Sequence, residues 1–365
     1  MKLVRVNALR GFRALAVVGD RLVLSRGHSL FVAEVPEGRP RSICTLPQRP
    51  WQRAAAGARL LRRLLRHNVH CAISLGGSSI LVSSRVGIHR VDGETGEFAL
   101  ERAPSEGFRP LTFSRIAGLA GFRDGIYFGE YDGRISHSAI RVLRRDGPSE
   151  WQVMHTFQPA EVDHIHTLVP DPHRRCVWIL TGDYENAPGI WMARDDFQTV
   201  VPVLRGRQEH RTCRVFPFER GLLYATDSHL EPNSLRWLEE RDGHWVTTAI
   251  RPLVGSCVYA ARVGDDYFFS SAVEPGRPSG RFLLDLIDFG RGPGILEPVC
   301  EIVGGSPNRG FDSLARWQAD ALPKRLFQFS AIAFPTDSES LEHLVTYGMG
   351  VRGHDDVTEI HRIER

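Results

Sequence analysis

The chain has 365 residues, of which 42% are hydrophobic and 24% are charged, and its formal net charge is +3. This composition excludes an intrinsically disordered protein, because such chains combine low hydrophobicity with high net charge. No stretch approaches the roughly 18–20 apolar residues of a membrane-spanning helix. The first residues show neither the apolar region nor the cleavage site of a signal peptide, so we expect a cytoplasmic protein.

The cysteines and basic residues carry little functional information. The six cysteines are scattered without a Cys-x-x-Cys pair, so we expect reduced and mostly buried thiols. Lys2 and Lys324 are the only lysines, and the remaining basic residues are arginines. Because no concentrated basic block stands out, we expect no nucleic-acid partner.

One short pattern recurs seven times along the chain. Each copy has three or four apolar, β-favouring residues that end in small residues and are often followed by an acid. The copies are residues 21–26, 79–84, 125–130, 176–183, 221–227, 266–271 and 343–348. Most successive copies are about 45–60 residues apart, which is the length of one four-stranded propeller blade with insertions. A short apolar run before each copy and two further strands after it complete the blade.

The sequence therefore predicts an all-β fold, a seven-bladed β-propeller of four-stranded antiparallel blades in one domain over residues 1–365. The last blade lacks a fourth strand after residues 357–363, and residues 3–7 precede the first blade without belonging to it. We expect the N-terminal strand to complete the last blade and close the ring, which removes an exposed sheet edge. A six-bladed ring with a distorted insertion is the alternative, because the first and last repeats are the weakest.

Two segments interrupt the repeat. Residues 51–67 carry the only strong helical periodicity, with Trp51, Leu61 and Leu65 on one face and four arginines elsewhere. We expect this helix to pack its apolar face on the propeller; the alternative is a cationic amphipathic helix that contacts a membrane surface or a protein partner. The second segment, residues 308–330, lengthens the last interval and is predicted to be a decorated loop.

Three turns between the third and fourth strands resemble degenerate Asp-boxes, the hairpin turns of BNR-repeat propellers in the sialidase-like group. They lie at residues 145–151, 194–197 and 241–245. The first keeps Asp146, Gly147 and Trp151 of the consensus Ser-x-Asp-x-Gly-x-Thr-Trp, but it lacks the leading serine and its glycine comes one position early. The resemblance implies a propeller related to glycosidases and uronate lyases. The arginine triad and the tyrosine–glutamate pair of true sialidases are not placed here, so a sialidase is not expected.

Acidic residues follow the second strand of four consecutive predicted blades. They are Glu130, Asp183, Asp227 and Glu274. Because equivalent positions of successive blades meet around the central channel, we expect these carboxylates to gather on one rim. Two carboxylates on opposite sides of a sugar provide the acid and the base, or the nucleophile, of a glycoside hydrolase.

A structural interpretation of these acids competes with the catalytic one. Each acid would then cap its own turn or form an ion pair with Arg134, Arg211 or Arg277.

The connections that lead into the innermost strands supply the other candidate site residues. His164 and His166 open one such strand, where residues two apart share a face, so with Asp183 or Glu130 they are candidate ligands of a divalent metal. This histidine pair resembles the histidines with which seven-bladed uronate lyases hold a divalent metal. The predicted substrate-binding residues are His70, Arg115, Tyr131, His164, His166, Tyr184, Arg211 and Arg309.

These observations favour a carbohydrate-active propeller that hydrolyses an oligo- or polysaccharide in its funnel through two of the four acids. Metal-assisted elimination on a uronate polysaccharide is one alternative. A non-catalytic sugar-binding or scaffold propeller of polysaccharide biosynthesis is the other.

Overall fold

Seven antiparallel sheets follow one another along the chain and form a β-propeller, as the sequence predicts. The computed structural model describes residues 1–104, 108–132, 138–184 and 186–365, so Arg134 lies outside the described residues. Within each blade the strands are named A to D from the channel outwards. Sheet order follows chain order in the first six blades, and the last blade takes its outer strand from the N-terminus. The six-bladed alternative is therefore wrong.

The first strand, β1 (Lys2–Arg10), belongs to the last blade. Blade 1 contains β2 (Arg13–Val18), β3 (Arg21–Arg26), β4 (Ser29–Glu34) and β5 (Arg41–Thr45). It leads through α1 (Pro50–Ala56) and α2 (Arg59–Leu65) to blade 2, which contains β6 (Cys71–Gly76), β7 (Ser79–Ser84), β8 (Gly87–Asp92) and β9 (Phe98–Arg102). Blade 3 contains β10 (Phe108–Pro110), β11 (Ser114–Ile116), β12 (Gly125–Asp132), β13 (Ile140–Gly147) and β14 (Glu150–Phe157).

Blade 4 contains β15 (His164–Asp171), β16 (Cys176–Gly182), β17 (Gly189–Arg194) and β18 (Thr199–Arg205). A 3₁₀ turn (Gln208–His210) precedes blade 5, which contains β19 (Val215–Phe218), β20 (Gly221–Ala225), β21 (Asn233–Arg241) and β22 (His244–Leu253). Blade 6 contains β23 (Ser256–Val263), β24 (Asp266–Ala272), β25 (Val299–Ser306) and β26 (Gly310–Gln318), with α3 (Phe282–Leu286) inserted before β25. Helix α4 (Lys324–Phe327) leads to blade 7, which contains β27 (Ala331–Ala333), β28 (His343–Met349) and β29 (Val357–Glu364), with a 3₁₀ turn (Ser338–Ser340) before β28.

Burial explains why the second strands carried the clearest signal. Every residue of β16 and β24 is buried, because neighbouring blades cover both faces of a B strand. A strand covered on both faces has a continuous apolar run rather than an alternating pattern. The outer strands β18 and β22 instead expose much of their length.

The ring is closed by the two ends of the chain. Strand β1 pairs antiparallel with β29, from Lys2 opposite Glu364 to Arg10 opposite Val357. The hydroxyl of Thr358 donates to the carbonyl of Phe12, which ties blade 7 to blade 1. The predicted N-terminal closing strand is confirmed.

The structure corrects the predicted helix over 51–67. It forms two seven-residue helices, α1 and α2, separated at Gly57 and Ala58. The predicted burial is also reversed, because Trp51 and Leu61 are exposed, whereas Arg62 and Arg63 are buried. These arginines pair with distant acids, so charge rather than the apolar face holds α2 on the propeller.

The predicted loop over 308–330 is also wrong for its first part. Its first part is β26, the outer strand of blade 6, and only the part around α4 is a connection. The extra length of this blade lies earlier, between β24 and β25. The described residues include no helix that is long and apolar enough to cross a membrane.

Trp178, on strand β16, gives a direct test of the propeller core. Its side chain is fully buried and its indole N–H donates to a carboxylate oxygen of Asp171, 2.9 Å away. We expect Trp178→Ala to lower the free energy of unfolding by about 3–5 kcal/mol in urea titrations, because it leaves a large cavity. Trp51→Ala is the matched control, since Trp51 is 52% exposed, and should change stability by less than about 0.5 kcal/mol. Equal losses for the two variants would contradict this core assignment.

Candidate functional site

A cavity of about 930 Å³ occupies the centre of the ring and is lined by residues of all seven blades. A volume of this size accommodates a small ligand or several sugar units. Asp183, Asp227 and Glu274 line it, as do His164 and His166.

The ends of three successive B strands place three carboxylates around this channel. Asp183 directly follows β16, whereas Asp227 and Glu274 each come two residues after β20 and β24. Their common partner is Arg211, which lies in the connection between β18 and β19. The predicted convergence therefore involves three of the four acids and one predicted arginine.

Arg211 is the centre of this charge cluster, and its side chain is only 5% exposed. Its Nη2 atom lies 2.8 Å from Oδ1 of Asp183 and 3.3 Å from Oδ2 of Asp227. Its Nη1 atom donates to Nδ1 of His229 at 3.1 Å. Burial opposes the charge of Arg211, but the surrounding carboxylates raise its pKa. Arg211 therefore remains a fixed positive charge beside the channel.

His164 and His166 face the same carboxylate, as their spacing predicts. Their Nε2 atoms lie 3.5 Å and 3.6 Å from Oδ1 of Asp183. Nδ1 of His166 is 2.9 Å from the carbonyl oxygen of Thr212, to which it donates, so Nε2 is directed towards Asp183. The hydrogen bond to a backbone carbonyl fixes the orientation of this imidazole ring.

The backbone around Asp183 is held by residues outside the predicted site. One carboxylate oxygen of Asp163 accepts hydrogen bonds from the N–H groups of Asp183 and Tyr184, both at 3.1 Å. The amide of Gln208 donates to the carbonyl of Asp183 at 3.0 Å. These contacts fix the turn that carries Asp183.

Electrostatics separates the protonation states of these groups. Burial disfavours the charged form of Asp183, but Arg211, His164 and His166 hold its pKa well below the usual range. Burial lowers the pKa of His164 to about 3, which makes this imidazole neutral. For His166 burial is outweighed by Asp183 and Asp227, which raise its pKa. Asp183 is thus a stable carboxylate.

Glu274 has the opposite protonation preference. Burial raises its pKa to about 7, and repulsion by Asp227 contributes to the rise. Its Oε2 atom is buried without a hydrogen-bond partner among the described residues, although the side chain as a whole remains partly accessible. Glu274 is therefore a carboxylic acid that holds its proton close to neutral pH.

Asp227 is less accessible than Asp183. The Asp227 side chain is 3% exposed, compared with 24% for Asp183. Its Oδ2 atom accepts a hydrogen bond from the thiol of Cys213 at 3.2 Å, and burial raises the pKa of that thiol well above its usual value. The role that fits Asp227 is a buried charge that keeps Glu274 protonated.

Cys213 and His229 belong to this cluster but were not among the predicted site residues. His229 contacts Arg211, and its Nε2 atom lies 3.4 Å from the hydroxyl of Tyr184. Asp227 and His229 are two residues apart after one B strand, and that spacing could have indicated His229. Nothing in the sequence distinguished Cys213 from the other scattered cysteines.

Glu130 also lines the cavity, but it does not join the other three acids around Arg211. Arg141, on the adjacent strand β13, forms a bidentate ion pair with it, with Nη2 2.7 Å from Oε1 and Nε 2.9 Å from Oε2. The backbone N–H of Arg141 donates to the same carboxylate at 3.1 Å. Both oxygens of Glu130 are therefore occupied, and its side chain is only 1% exposed.

Tyr131 and Tyr184, two of the predicted substrate-binding residues, lie beside the acid cluster. The ring of Tyr131 is 4.5 Å from that of His164, and the guanidinium of Arg109 lies 5.4 Å from the Tyr131 ring centre. The guanidinium of Arg277 lies 5.0 Å from the ring centre of Tyr184.

His70 and Arg115 line the channel away from the acids. Burial and the charges of nearby arginines lower the pKa of His70 well below its usual range. Arg115 pairs in register with Ile126 at the start of β12, so it lies towards the opposite end of the channel, where it donates to the carbonyl of Ser74.

Arg309 is not among the residues that line the cavity, and its predicted position in a connection to an innermost strand is wrong. It lies in the hairpin between β25 and β26 and pairs with Asp266 at the start of β24. The error follows from the misplaced insertion, because residues 299–318 are strands C and D of blade 6 rather than an approach to the next inner strand.

Arginines concentrate on the side of the channel formed by blades 1 to 3. The lining residues there include Arg13, Arg85 and Arg109. In the part of the chain that the structure describes, Arg85 and Arg109 form no ion pair with a carboxylate. Burial lowers the pKa of Arg109, and the neighbouring Arg85 and Arg66 lower it further. This side of the channel therefore favours an anionic group, opposite the acid cluster of blades 4 to 6.

His164, His166 and Asp183 also fit the ligand set of a divalent metal. Their ligand atoms lie within 4.8 Å of one another. Four ligands at about 2.1 Å from a tetrahedral zinc ion are separated by about 3.4 Å, close to the observed His–Asp distances. The ring orientation of His166 is that of a metal ligand. Arg211 contacts the same Asp183 oxygen, so a bound cation would share this carboxylate with a guanidinium.

Comparisons with known proteins identify the fold and no family. No protein-family model and no curated protein match this chain. A chain of the Mitotic Checkpoint Complex is similar in structure, with a TM-score of 0.57, 10% identity and coverage of 99% of this chain and 95% of that one. The AfRom2 CNH domain gives a TM-score of 0.54 at 11% identity, over 100% and 99% of the two chains. An oligogalacturonate lyase in complex with manganese gives a TM-score of 0.53 at 9% identity, and the match covers 100% of this chain and 93% of that one.

Likeness at this level of identity shows the propeller fold alone, since propellers host many activities. The resemblance of the three turns to Asp-boxes is not confirmed as membership of the sialidase-like group. In the first of these turns Asp146 pairs with Arg144, and Trp151 packs against Phe128 with ring centres 5.2 Å apart.

Proposed function

We propose that the central channel is the active site of a glycoside hydrolase in which Glu274 is the general acid and Asp183 the catalytic carboxylate. The observation that carries the proposal is the opposite protonation preference of these two groups beside one cavity. Environments that separate the pKa values of two carboxyl groups are typical of acid–base pairs in glycosidases.

The chemistry assigns one role to each side chain. Glu274 donates its proton to the glycosidic oxygen as the bond from that oxygen to the anomeric carbon breaks. Asp183 either accepts a proton from the attacking water or attacks the anomeric carbon itself, after which water releases the sugar. Water supplies the hydroxyl of one product in both routes. Its remaining proton passes to Asp183 when Asp183 is the base, and solvent exchange then reprotonates Glu274; when Asp183 is the nucleophile, that proton passes to Glu274 as water releases the sugar. Arg211 and His166 keep Asp183 ionised before the reaction begins.

The arginines of blades 1 to 3 indicate the chemistry of the substrate. Guanidinium groups bind carboxylates in a planar, bidentate manner. A sugar bound between Asp183 and Arg109 would therefore carry its acidic substituent towards the arginines. An acidic oligosaccharide, such as one that contains uronate, is the substrate class that this arrangement favours.

The proposal is tested by incubating the protein with a panel of acidic and neutral oligosaccharides and analysing the products by mass spectrometry. We expect cleavage of acidic members and loss of cleavage in Asp183→Asn and Glu274→Gln. Binding without cleavage in the unmodified protein would favour the scaffold alternative, and neither binding nor cleavage would overturn the assignment of the channel.

The geometry of His164, His166 and Asp183 favours metal-assisted elimination on a uronate as a second candidate. A bound divalent ion would supply Lewis-acid stabilisation of the negative charge on the uronate carboxyl group. The protein's own contribution would be to orient the imidazole of His166, through the carbonyl of Thr212, and to hold the uronate with the arginines.

Metal binding gives a readout that does not depend on turnover. If the second candidate is correct, calorimetric titration with Mn²⁺ or Zn²⁺ should show one site, and His166→Gln should weaken its affinity at least about tenfold. His244→Gln is the control, because His244 is exposed on an outer strand. No binding to the unmodified protein, or equal binding to the two variants, would exclude a metal at this position.

A further inference from the structure

The face of the propeller around the channel mouth carries an unusual concentration of exposed apolar side chains. Two connecting segments supply it, residues 50–66 with α1 and α2, and residues 282–296 with α3. Their exposed apolar residues are Trp51, Leu60, Leu61, Leu64, Phe282, Leu283, Leu284, Ile287, Phe289 and Leu296. We call this set the apolar rim. Phe282 and Leu283 are 73% and 74% exposed, which is high for side chains of this size.

The two segments lie on one face and are joined through α4. Helix α4 contacts both α2 and α3. Arg66 donates to the carbonyl of Arg325, and Lys324 donates to the carbonyl of Phe289. The D-to-A and B-to-C connections of a propeller share a face, and this is the face on which Asp183 and Glu274 follow their B strands. The apolar rim therefore surrounds part of the channel mouth.

The structure holds α2 with its apolar side outwards. Arg62 pairs with Asp356, and Arg63 pairs with Asp320 and with Asp355. Their buried ion pairs anchor the helix through its charged side, which leaves the leucines in solvent. A helix that only covered the propeller would bury its leucines and expose its arginines. The observed orientation instead leaves the apolar side chains of α2 available to a binding partner.

The charge around the apolar rim indicates what kind of partner would cover it. Residues 38–91 contain ten arginines and no acidic residue, a bias that the near-neutral total charge conceals. Arg53, Arg59 and Arg66 are exposed in the first segment, where Arg59 also pairs with Asp355. Arg281 and Arg291 are exposed beside α3, where Asp288 is exposed as well. Exposed leucine, phenylalanine and tryptophan flanked by arginine are typical of surfaces that insert into the interface of an anionic membrane.

The exposed apolar residues elsewhere do not form such a surface. Among the described residues the others are Val6, Phe98, Leu100, Val153, Val201, Val246 and Ile250, and all lie on outer strands of blades. They are distributed around the ring, as isolated surface apolar residues usually are.

We propose that the apolar rim is a peripheral membrane-binding surface, which rests on an anionic bilayer with the channel mouth turned towards the lipid. The exposed arginines beside the apolar rim contact lipid phosphates. The leucines, phenylalanines and the tryptophan of the rim enter the boundary between the lipid headgroups and the acyl chains. The proposal does not depend on the chemistry assigned to the channel.

Vesicle sedimentation tests this surface with the full chain. We expect binding to vesicles of equal parts phosphatidylcholine and phosphatidylglycerol, and at least about tenfold weaker binding to phosphatidylcholine alone. A variant with Leu60→Ser, Leu61→Ser, Phe282→Ser and Leu283→Ser should lose at least about tenfold of this binding. These side chains are exposed, so the variant should unfold at the same temperature as the unmodified protein.

The matched control replaces apolar residues of outer strands, Val201→Ser and Ile250→Ser, which are 41% and 46% exposed. This control should bind vesicles like the unmodified protein. Two results would overturn the proposal: equal loss in both variants, or no vesicle binding together with concentration-dependent self-association that the rim variant abolishes. The second result would identify the rim as a protein–protein interface.

Discussion

Replacing Glu274 with glutamine is expected to reduce cleavage by about 10²–10⁴-fold, because the amide retains the shape of the side chain but has no proton to donate. In the unmodified protein the acid must be protonated. Activity should therefore be highest below the Glu274 pKa of about 7 and fall as the pH rises through that value. The measurement is a pH–rate profile for an acidic oligosaccharide that the protein cleaves.

Glu240→Gln is the control for this prediction, since Glu240 is exposed on an outer part of blade 5 and should leave the profile unchanged. A Glu274→Gln variant with full activity and the same alkaline limb would remove Glu274 from the mechanism. Loss of activity without any change in substrate affinity would agree with a role in the chemical step.

Arg211→Met should cause the largest loss of stability among single substitutions at the site. It leaves the buried carboxylates of Asp183 and Asp227 without their shared cation. Removing one partner of a buried ion pair costs about 3–5 kcal/mol of unfolding free energy. Urea titrations at neutral pH measure this loss.

The pH dependence of the Arg211→Met effect follows from the signs of the pKa shifts. In the unmodified protein the pKa of Asp183 is lowered in the folded state, so its contribution to stability is lost as the pH falls. In the variant the unpaired carboxylates have raised pKa values and take up protons more readily when folded, so stability improves as the pH falls. The difference between the two proteins should therefore shrink in acid.

Arg241→Met provides the comparison, because Arg241 is 59% exposed and pairs with Glu239 on the surface. Surface ion pairs contribute little, so this variant should lose less than about 1 kcal/mol. Equal losses for the two arginine variants, or a loss at Arg211 that does not change with pH, would contradict the buried charge cluster.

The fold was predictable because its signal is local and repeated. The B strands are buried on both faces, so their apolar runs stand out at one position of every blade. The closing strand was predictable from the number of strands in each blade. The last blade had only three predicted strands, and the N-terminal segment supplied the fourth. Strands β25 and β26 were not predicted as the outer strands of blade 6, because a long insertion separates them from β24 in the sequence.

The position of the site was predictable from the sequence, but the ion pairs formed by its charged residues were not. Blade register placed Asp183, Asp227 and Glu274 on one rim, and it also placed Arg211 near them. It could not separate Glu130 from the others, because its partner Arg141 is set by the pairing of adjacent strands. The same limit reversed the prediction for α2, since the acids that bind Arg62 and Arg63 are more than 250 positions away in the sequence.

The most direct test of the central claim, that the channel hydrolyses a carbohydrate, is cleavage in water labelled with oxygen-18. Hydrolysis by Glu274 and Asp183 predicts products that carry one labelled oxygen for each bond cleaved, and at least about a hundredfold less product from Glu274→Gln. An unsaturated product without the label would contradict hydrolysis and would instead identify elimination. Tight binding of the same oligosaccharide without any product would contradict catalysis altogether.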